Sequence, residues 1–170
     1  MSQAAAVRLI NPKRSEVASH IHGVLTAVGE DPSRDGLLRT PERWEQAMRF
    51  LTSGYSKRVE DLINGALFAV QFDEMVVVKD IEFFSLCEHH LLPFWGKASV
   101  AYYPSDKILG LSKIPRIIEL YARRFQVQER LTREVSDAMV EALNPRAVAV
   151  RVQACHLCMM MRGVEKQGSH

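Results

Sequence analysis

The sequence has little of what would mark a membrane, secreted or nucleic-acid-binding chain. No apolar run approaches the roughly 20 residues that a spanning helix needs. Residues 1–10 hold a single Arg and no sustained apolar stretch, so they do not read as a signal peptide. Basic and acidic residues nearly cancel, 22 Lys and Arg against 20 Asp and Glu, for a net charge of +2. That balance gives no reason to expect a nucleic-acid or membrane partner, although a local basic cluster can still hold a small anion. Internal repeats and low-complexity tracts are missing. There are only three cysteines, Cys87, Cys155 and Cys158, too few for a disulfide framework in a cytosolic protein. Metal binding, catalysis and plain burial remain open to them. What the 170 residues do supply, at 47% hydrophobic and 25% charged, is enough apolar side chain to bury a core.

The apolar pattern changes period along the chain. Val17, Ile21, Val24, Leu25 and Val28 recur at helical spacing and stop at Gly29-Glu30-Asp31-Pro32. Thr40-Pro41-Glu42 reads as a helix start, with Thr as N-cap and Pro at the first helical position. Trp44, Ala47, Met48 and Leu51 then form a stripe, and residues 59–65 suggest one more short turn. From Met75 the residues become β-branched and aromatic, and two strands are read: one over Met75–Val78 and Ile81–Phe84, and a returning one over Ala98–Tyr103. Two helices follow. Ser112 is the expected cap of the first, with Ile114, Ile118, Tyr121 and Phe125 on one face. The second carries Val127, Leu131, Val135, Met139 and Leu143 and ends at Asn144-Pro145. Ala147–Met161 reads as one long strand. This order predicts an α+β fold, an antiparallel sheet with two helices packed on one face, preceded by N-terminal helices. The expected division is a helical region over 1–72 and a catalytic domain over 73–170.

Chemistry concentrates in two clusters. Cys87-Glu88-His89-His90 offers a thiol and imidazoles, both good zinc ligands. In a regular strand, residues 87 and 90 point to opposite faces, so their joint use requires a turn or bulge there. The second cluster is Cys155-His156-Leu157-Cys158. If 147–161 is extended, His156, Cys158, Met160 and Arg162 share one face while Cys155 and Leu157 point the other way. Cys87, His90 and Cys158 then offer three zinc ligands beside two further histidines, the ligand count of a catalytic site. A closed structural site of Cys87, His90, Cys155 and Cys158 is the alternative. Lys113 and Arg116 at a helix start, with Arg162, could bind phosphate. Gln128-Glu129 could pair with a nucleobase edge, since a carboxylate accepts from ring N–H and exocyclic amine.

Four stretches carry a resemblance: Cys-Glu-His-His-Leu-Leu-Pro-Phe (87–94), Gly-Leu-Ser-Lys-Ile-Pro-Arg (110–116), Arg-Phe-Gln-Val-Gln-Glu-Arg-Leu-Thr (124–132) and Cys-His-Leu-Cys-Met-Met-Met-Arg-Gly-Val (155–164). In this order and spacing the sequence resembles GTP cyclohydrolase I, from about Arg34 to its end. The resemblance implies the tunnelling fold, whose sheets join between subunits into a barrel, commonly as a dimer of pentamers with sites at subunit boundaries. It implies Cys87, His90 and Cys158 as zinc ligands and His89 and His156 as acid/base residues. By the same match Glu129, with Gln128, is the guanine anchor. Ser112, Lys113, Arg116 and Arg162 surround ribose and triphosphate, and Arg43 reaches the triphosphate from a neighbouring subunit. The implied reaction is hydrolytic opening of GTP at C8 with His156 protonating N7. Release of formate follows, then ribose rearrangement, with His89 and Ser112 helping, to 7,8-dihydroneopterin triphosphate on the route to tetrahydrofolate and pterins. Family members continue past Arg-Gly-Val with a return strand and a helix, which this sequence lacks; residues 147–162 are therefore expected to lie at an exposed edge. Two rivals make different demands: a nitrile reductase of the same fold would consume NADPH, and a non-catalytic zinc or pterin-binding module would release no formate.

Overall fold

The computed structural model describes residues 15–71 and 74–165. They divide into two compact units, with the boundary between Arg49 and Phe50. In the first unit, helix α1 (Glu16–Ala27) starts at Ser15, whose hydroxyl accepts from the Ala18 N–H at 3.2 Å. That satisfies one of the donors a helix start leaves unpaired. The same hydroxyl contacts Glu45 of helix α2 (Thr40–Leu51). Thr40 does not act as the expected cap. It lies inside the helix, and its hydroxyl donates back to the Gly36 carbonyl at 3.4 Å, because residues 37–39 already turn into the helix.

The second unit holds the sheet. A 3₁₀ turn (Ser53–Ser56) and helix α3 (Val59–Ile63) lead into strand β1 (Leu67–Ala69). The long strands are β2 (Val76–Cys87) and β3 (Pro93–Tyr103), followed by the short β4 (Lys107–Leu109), which pairs with β1. Helix α4 (Lys113–Ala122), strand β5 (Phe125–Gln126), helix α5 (Gln128–Leu143), strand β6 (Ala147–His156) and the single turn α6 (Leu157–Met160) complete the order. The main sheet runs β5-β2-β3-β6. β2–β3 and β3–β6 are antiparallel, and β5 adds a two-residue parallel bridge, Leu86↔Phe125 and Cys87↔Gln126. The α+β architecture expected from the sequence is the one found.

The core lies between one sheet face and the helices. Alternate residues of β3, namely Phe94, Ala98, Val100 and Tyr102, are buried with Phe83 of β2, as a half-covered strand requires. Against them pack Ile114, Ile117 and Ile118 of α4 and Leu131, Val135, Met139 and Leu143 of α5. The α5 stripe is the predicted one, except that Val127 is the extended N-cap residue rather than a helical one. On α4 the face is narrower than expected. The helix ends at Ala122, so Phe125 falls in β5, and Tyr121 is only partly buried.

Segments 75–78 and 81–84 belong to one strand, as expected, with a register shift between Val78 and Ile81 where Asp80 takes φ 57°. Two further expectations change. Ser112 has helical φ/ψ and makes no capping bond; a capping side chain needs an extended backbone. The last strand stops at His156 rather than Met161. Leu157, Met159, Met160 and Met161 lack the β-branched character of Val148, Val150 and Val152, and the chain turns into α6. No helix of the described residues is long and apolar enough to cross a membrane.

Candidate metal centre

The site begins where β2 ends. At Cys87 the chain reverses: the Cys87 carbonyl accepts from the Leu91 N–H at 2.8 Å, and the Cys87 N–H donates to the Leu92 carbonyl at 2.9 Å. Leu91 takes a left-handed φ of 55°, which lets the loop close within four residues. The turn foreseen for Cys87–His90 is therefore present. It brings Cys87 Sγ to 3.8 Å from His90 Nδ1 and 3.9 Å from His89 Nδ1.

Cys158 arrives from α6. Its side chain reaches Cys87 because the chain leaves the strand after His156 and curls, not because strand alternation carries it there. The ligand atoms of Cys87, His90 and Cys158 all lie within 4.8 Å of one another. A tetrahedral zinc, with bonds of about 2.3 Å to sulfur and about 2.0 Å to nitrogen, sets its ligand atoms roughly 3.6–3.8 Å apart. Two soft thiols and an imidazole are also the donor types this ion prefers. Burial pushes the Cys158 thiol pKa up, and the adjacent Cys87 adds to the rise. A Cys158 thiol held protonated by burial is deprotonated on binding a cation, and this donor set fits a bound metal. Cys155 points elsewhere, into a separate concavity lined by Phe84 and Trp95.

His156 stands beside this cluster. Its ring stacks on Phe94, its cross-strand partner, with centroids 4.5 Å apart and planes within 3°. His156 Nε2 lies 3.0 Å from Gln128 Oε1, while Gln128 Nε2 donates to the Val152 carbonyl at 3.2 Å. Both ends of that amide are engaged, which fixes the imidazole, while Glu129 is exposed on the first turn of α5. Burial lowers the His156 pKa, with Glu129 opposing in part. Arg162 Nη1 donates to His90 Nε2 at 3.0 Å. Cys87, His89, His90, Gln128, Glu129, His156, Cys158 and Arg162 line one cavity of about 520 Å³.

Four of the predicted contacts lie outside that lining. Ser112, Lys113 and Arg116 sit at the start of α4, where Lys113 Nζ donates to the Leu62 carbonyl at 2.7 Å and Ser112 and Arg116 are exposed. Arg43 is on α2, in the N-terminal unit. The sequence alone gives no role to Phe94, Gln126, Glu88 or Arg130. The Glu88 N–H donates to the Gln126 carbonyl at 3.0 Å, and Arg130 holds the Glu88 carboxyl below the usual carboxylate range. Both Glu88 and Arg130 lie within the quoted motifs, so the motif itself was the available signal.

Known proteins carry the same pattern. The family model described as GTP cyclohydrolase I matches residues 17–170. A protein of Chlorobaculum tepidum named GTP cyclohydrolase 1 is 58% identical over 149 residues, 88% of this chain and 66% of that protein. The GTP cyclohydrolase 1 of Gloeobacter violaceus is 52% identical over 168 residues, 99% of this chain and 77% of its own length. GTP cyclohydrolase 1 1 of Pseudomonas aeruginosa is 54% identical over 160 residues, 94% and 84% of the two chains. The chain thus spans about two thirds to four fifths of the length of these relatives. A match over nearly the whole chain, on a structure that gathers residues of three of the four motifs around one cavity, settles the relationship: the chain belongs to the GTP cyclohydrolase I family.

Proposed function

We propose that the chain hydrolyses and rearranges GTP to 7,8-dihydroneopterin triphosphate with release of formate, the first step of tetrahydrofolate and pterin synthesis. The observation that carries this reading is the convergence of Cys87, His90 and Cys158 with His89, His156 and Glu129 on one cavity. Cys87, His90 and Cys158 are the ligands for zinc, which supplies Lewis acidity and an activated water at neutral pH when bound.

The remaining chemistry belongs to the chain's own side chains. Glu129 accepts from the guanine N1–H and 2-amino group and sets the base in the cavity. His156, held by Phe94 and Gln128, delivers a proton to N7 as C8 is attacked, and its depressed pKa makes the imidazolium a readier donor. Hydrolysis of C8–N9 and of the resulting formamide consumes two waters, and closure of the pterin ring returns one. His89 and Ser112 serve the opening and rearrangement of the ribose. Arg162, with Ser112, Lys113, Arg116 and Arg43, receives ribose and triphosphate. Since the α4 cations lie outside the cavity of one chain, a second copy of a cytoplasmic homo-oligomer, a dimer of pentamers, completes each site. Zinc-loaded protein given GTP should release one formate per GTP and yield a pterin triphosphate. Metal-loaded, folded protein that binds GTP yet releases no formate would leave only a binding module.

A further inference from the structure

The turn that presents His89 and His90 is exposed from Glu88 to Leu91 and contains a left-handed residue, a poor foundation for a metal ligand. A ligating side chain has to be held to within about 0.5 Å by its supporting contacts. Backbone bonds tie the turn at Cys87 and at Glu88, to Leu92 and Gln126 respectively. A third tie comes from Arg130, on α5. Its Nη2 contacts the Glu88 carboxylate and donates to the Phe125 carbonyl at 2.8 Å, while its Nε donates to Gln126 Oε1 at 2.9 Å. Gln126 is 1% exposed, and its amide nitrogen donates to the Tyr121 carbonyl at 3.1 Å and to Glu134 Oε2 at 2.5 Å. The guanidinium is therefore fixed from behind, by a buried amide and a carbonyl, before it meets Glu88.

We propose that Arg130 is a positioning residue for the metal centre: through Glu88 it locks the Cys87–His90 turn onto α5, the helix whose first turn carries Gln128 and Glu129. This rests on the reading of Cys87, His90 and Cys158 as zinc ligands. One clamp then sets the spacing between the metal and the base anchor, since Arg130 belongs to the anchor's helix and Glu88 sits between two residues of the metal turn. The planar fork matters. A lysine could pair with Glu88 but cannot also satisfy Gln126 and Phe125. Nor is stability a sufficient reason for the pair, because partly exposed ion pairs contribute little to it.

The test uses the full chain with Arg130→Gln, Arg130→Lys, Glu88→Gln and the double variant of Arg130→Gln with Glu88→Gln. Zinc affinity is measured by chelator competition, melting on metal-free protein, and kcat and KM by formate release. Loss of a supporting partner of this kind typically weakens metal binding about 10-fold or more, and each single variant should show that loss. The metal-free melting point should move little, and kcat should fall more than KM rises. The double variant should be no worse than either single one, because both remove the same tie. Arg130→Lys should recover only part of the affinity. Wild-type zinc affinity in Arg130→Gln, with or without a shift in melting, overturns the proposal, as does additive loss in the double variant. If Arg130→Gln does not fold, Glu88→Gln decides alone: unchanged zinc affinity refutes the clamp. A wild-type chain that binds no zinc overturns the metal-centre reading itself, and this one with it.

Discussion

Cys155 and Cys158 differ by three positions in sequence and by the face of the sheet they serve, and that difference separates two kinds of metal site. Cys158 is 8% exposed and lies with Cys87 and His90, whereas Cys155 lines a separate concavity beside Trp95. Cys158→Ser should therefore abolish tight zinc binding while Cys155→Ser keeps it, as metal analysis of the purified variants would show. Equal loss in both would instead support a closed site using all three cysteines. Glu129 allows a second test at the same scale. Its carboxylate is exposed at the start of α5, so a bound base is what would bury it. Guanine offers N1–H and the 2-amino group to it; adenine offers neither and would leave a desolvated charge unpaired. GTP should be turned over and ATP rejected by about 10⁴-fold or more, with ITP between them because it keeps N1–H alone. Glu129→Gln should reduce GTP turnover and leave zinc content unchanged. If the carboxylate only complements the helix dipole, the substitution should cost under about 1 kcal/mol of stability and leave the kinetics intact.

At the scale of elements, the sheet brings His156 beside the Cys87, His90 and Cys158 cluster, and one glycine makes its closest approach possible. Gly96 pairs with Ala154, two positions along β3 from the Phe94–His156 pair. A Cβ built there would lie 1.9 Å from the Gln153 carbonyl oxygen, closer than real atoms come, and a backbone atom cannot swing aside. Gly96→Ala should push β6 away from β3, destabilise the protein by at least about 2 kcal/mol and loosen the His156 stack. Gly23 provides the control. It lies within α1 with nothing within 4 Å of its added Cβ, so Gly23→Ala should stabilise by about 0.5–1 kcal/mol. Thermal melts of the two variants should move in opposite directions. The elements also show which part of the site was legible beforehand. Helical and strand periods mark α5 and the β3–β6 core, because burial of one face dictates those periods; on α1 the period marks the helix, but Val17, Val24 and Val28 of its stripe are exposed and Ala18 is the buried residue. The metal cluster was legible from ligand chemistry alone. Strand alternation does not explain Cys158: past His156 a run of Leu and Met turns the chain into α6, and that turn carries Cys158 to the cluster. The supporting contacts of Phe94, Gln128 and Arg130 depend on register and on a parallel bridge between residues about 40 positions apart, which no local pattern encodes.

On the scale of the whole molecule, the charge in the cavity does not match its proposed substrate. GTP carries close to four negative charges on its triphosphate, yet among the described lining residues Arg162 alone bears a fixed positive charge. Lys113 and Arg116 would supply more, but they stand at the start of α4, outside that lining. If the guanine anchor of one copy works with the α4 cations of another, two differently crippled chains can repair each other. Glu129→Gln lacks the anchor and keeps the cations; a chain with Lys113→Ala and Arg116→Ala keeps the anchor and lacks the cations. Each alone should be nearly inactive with full zinc content. Dissociated, mixed in equal amounts and reassembled, they should regain about a quarter of wild-type formate release, since one pairing in four unites an intact anchor with intact cations across a head-to-tail interface. Light scattering should show the mixed assembly at the mass of the wild-type oligomer. Were anchor and cations drawn from the same chain, no mixture could contain an intact site, and activity after reassembly would stay at the level of the parents.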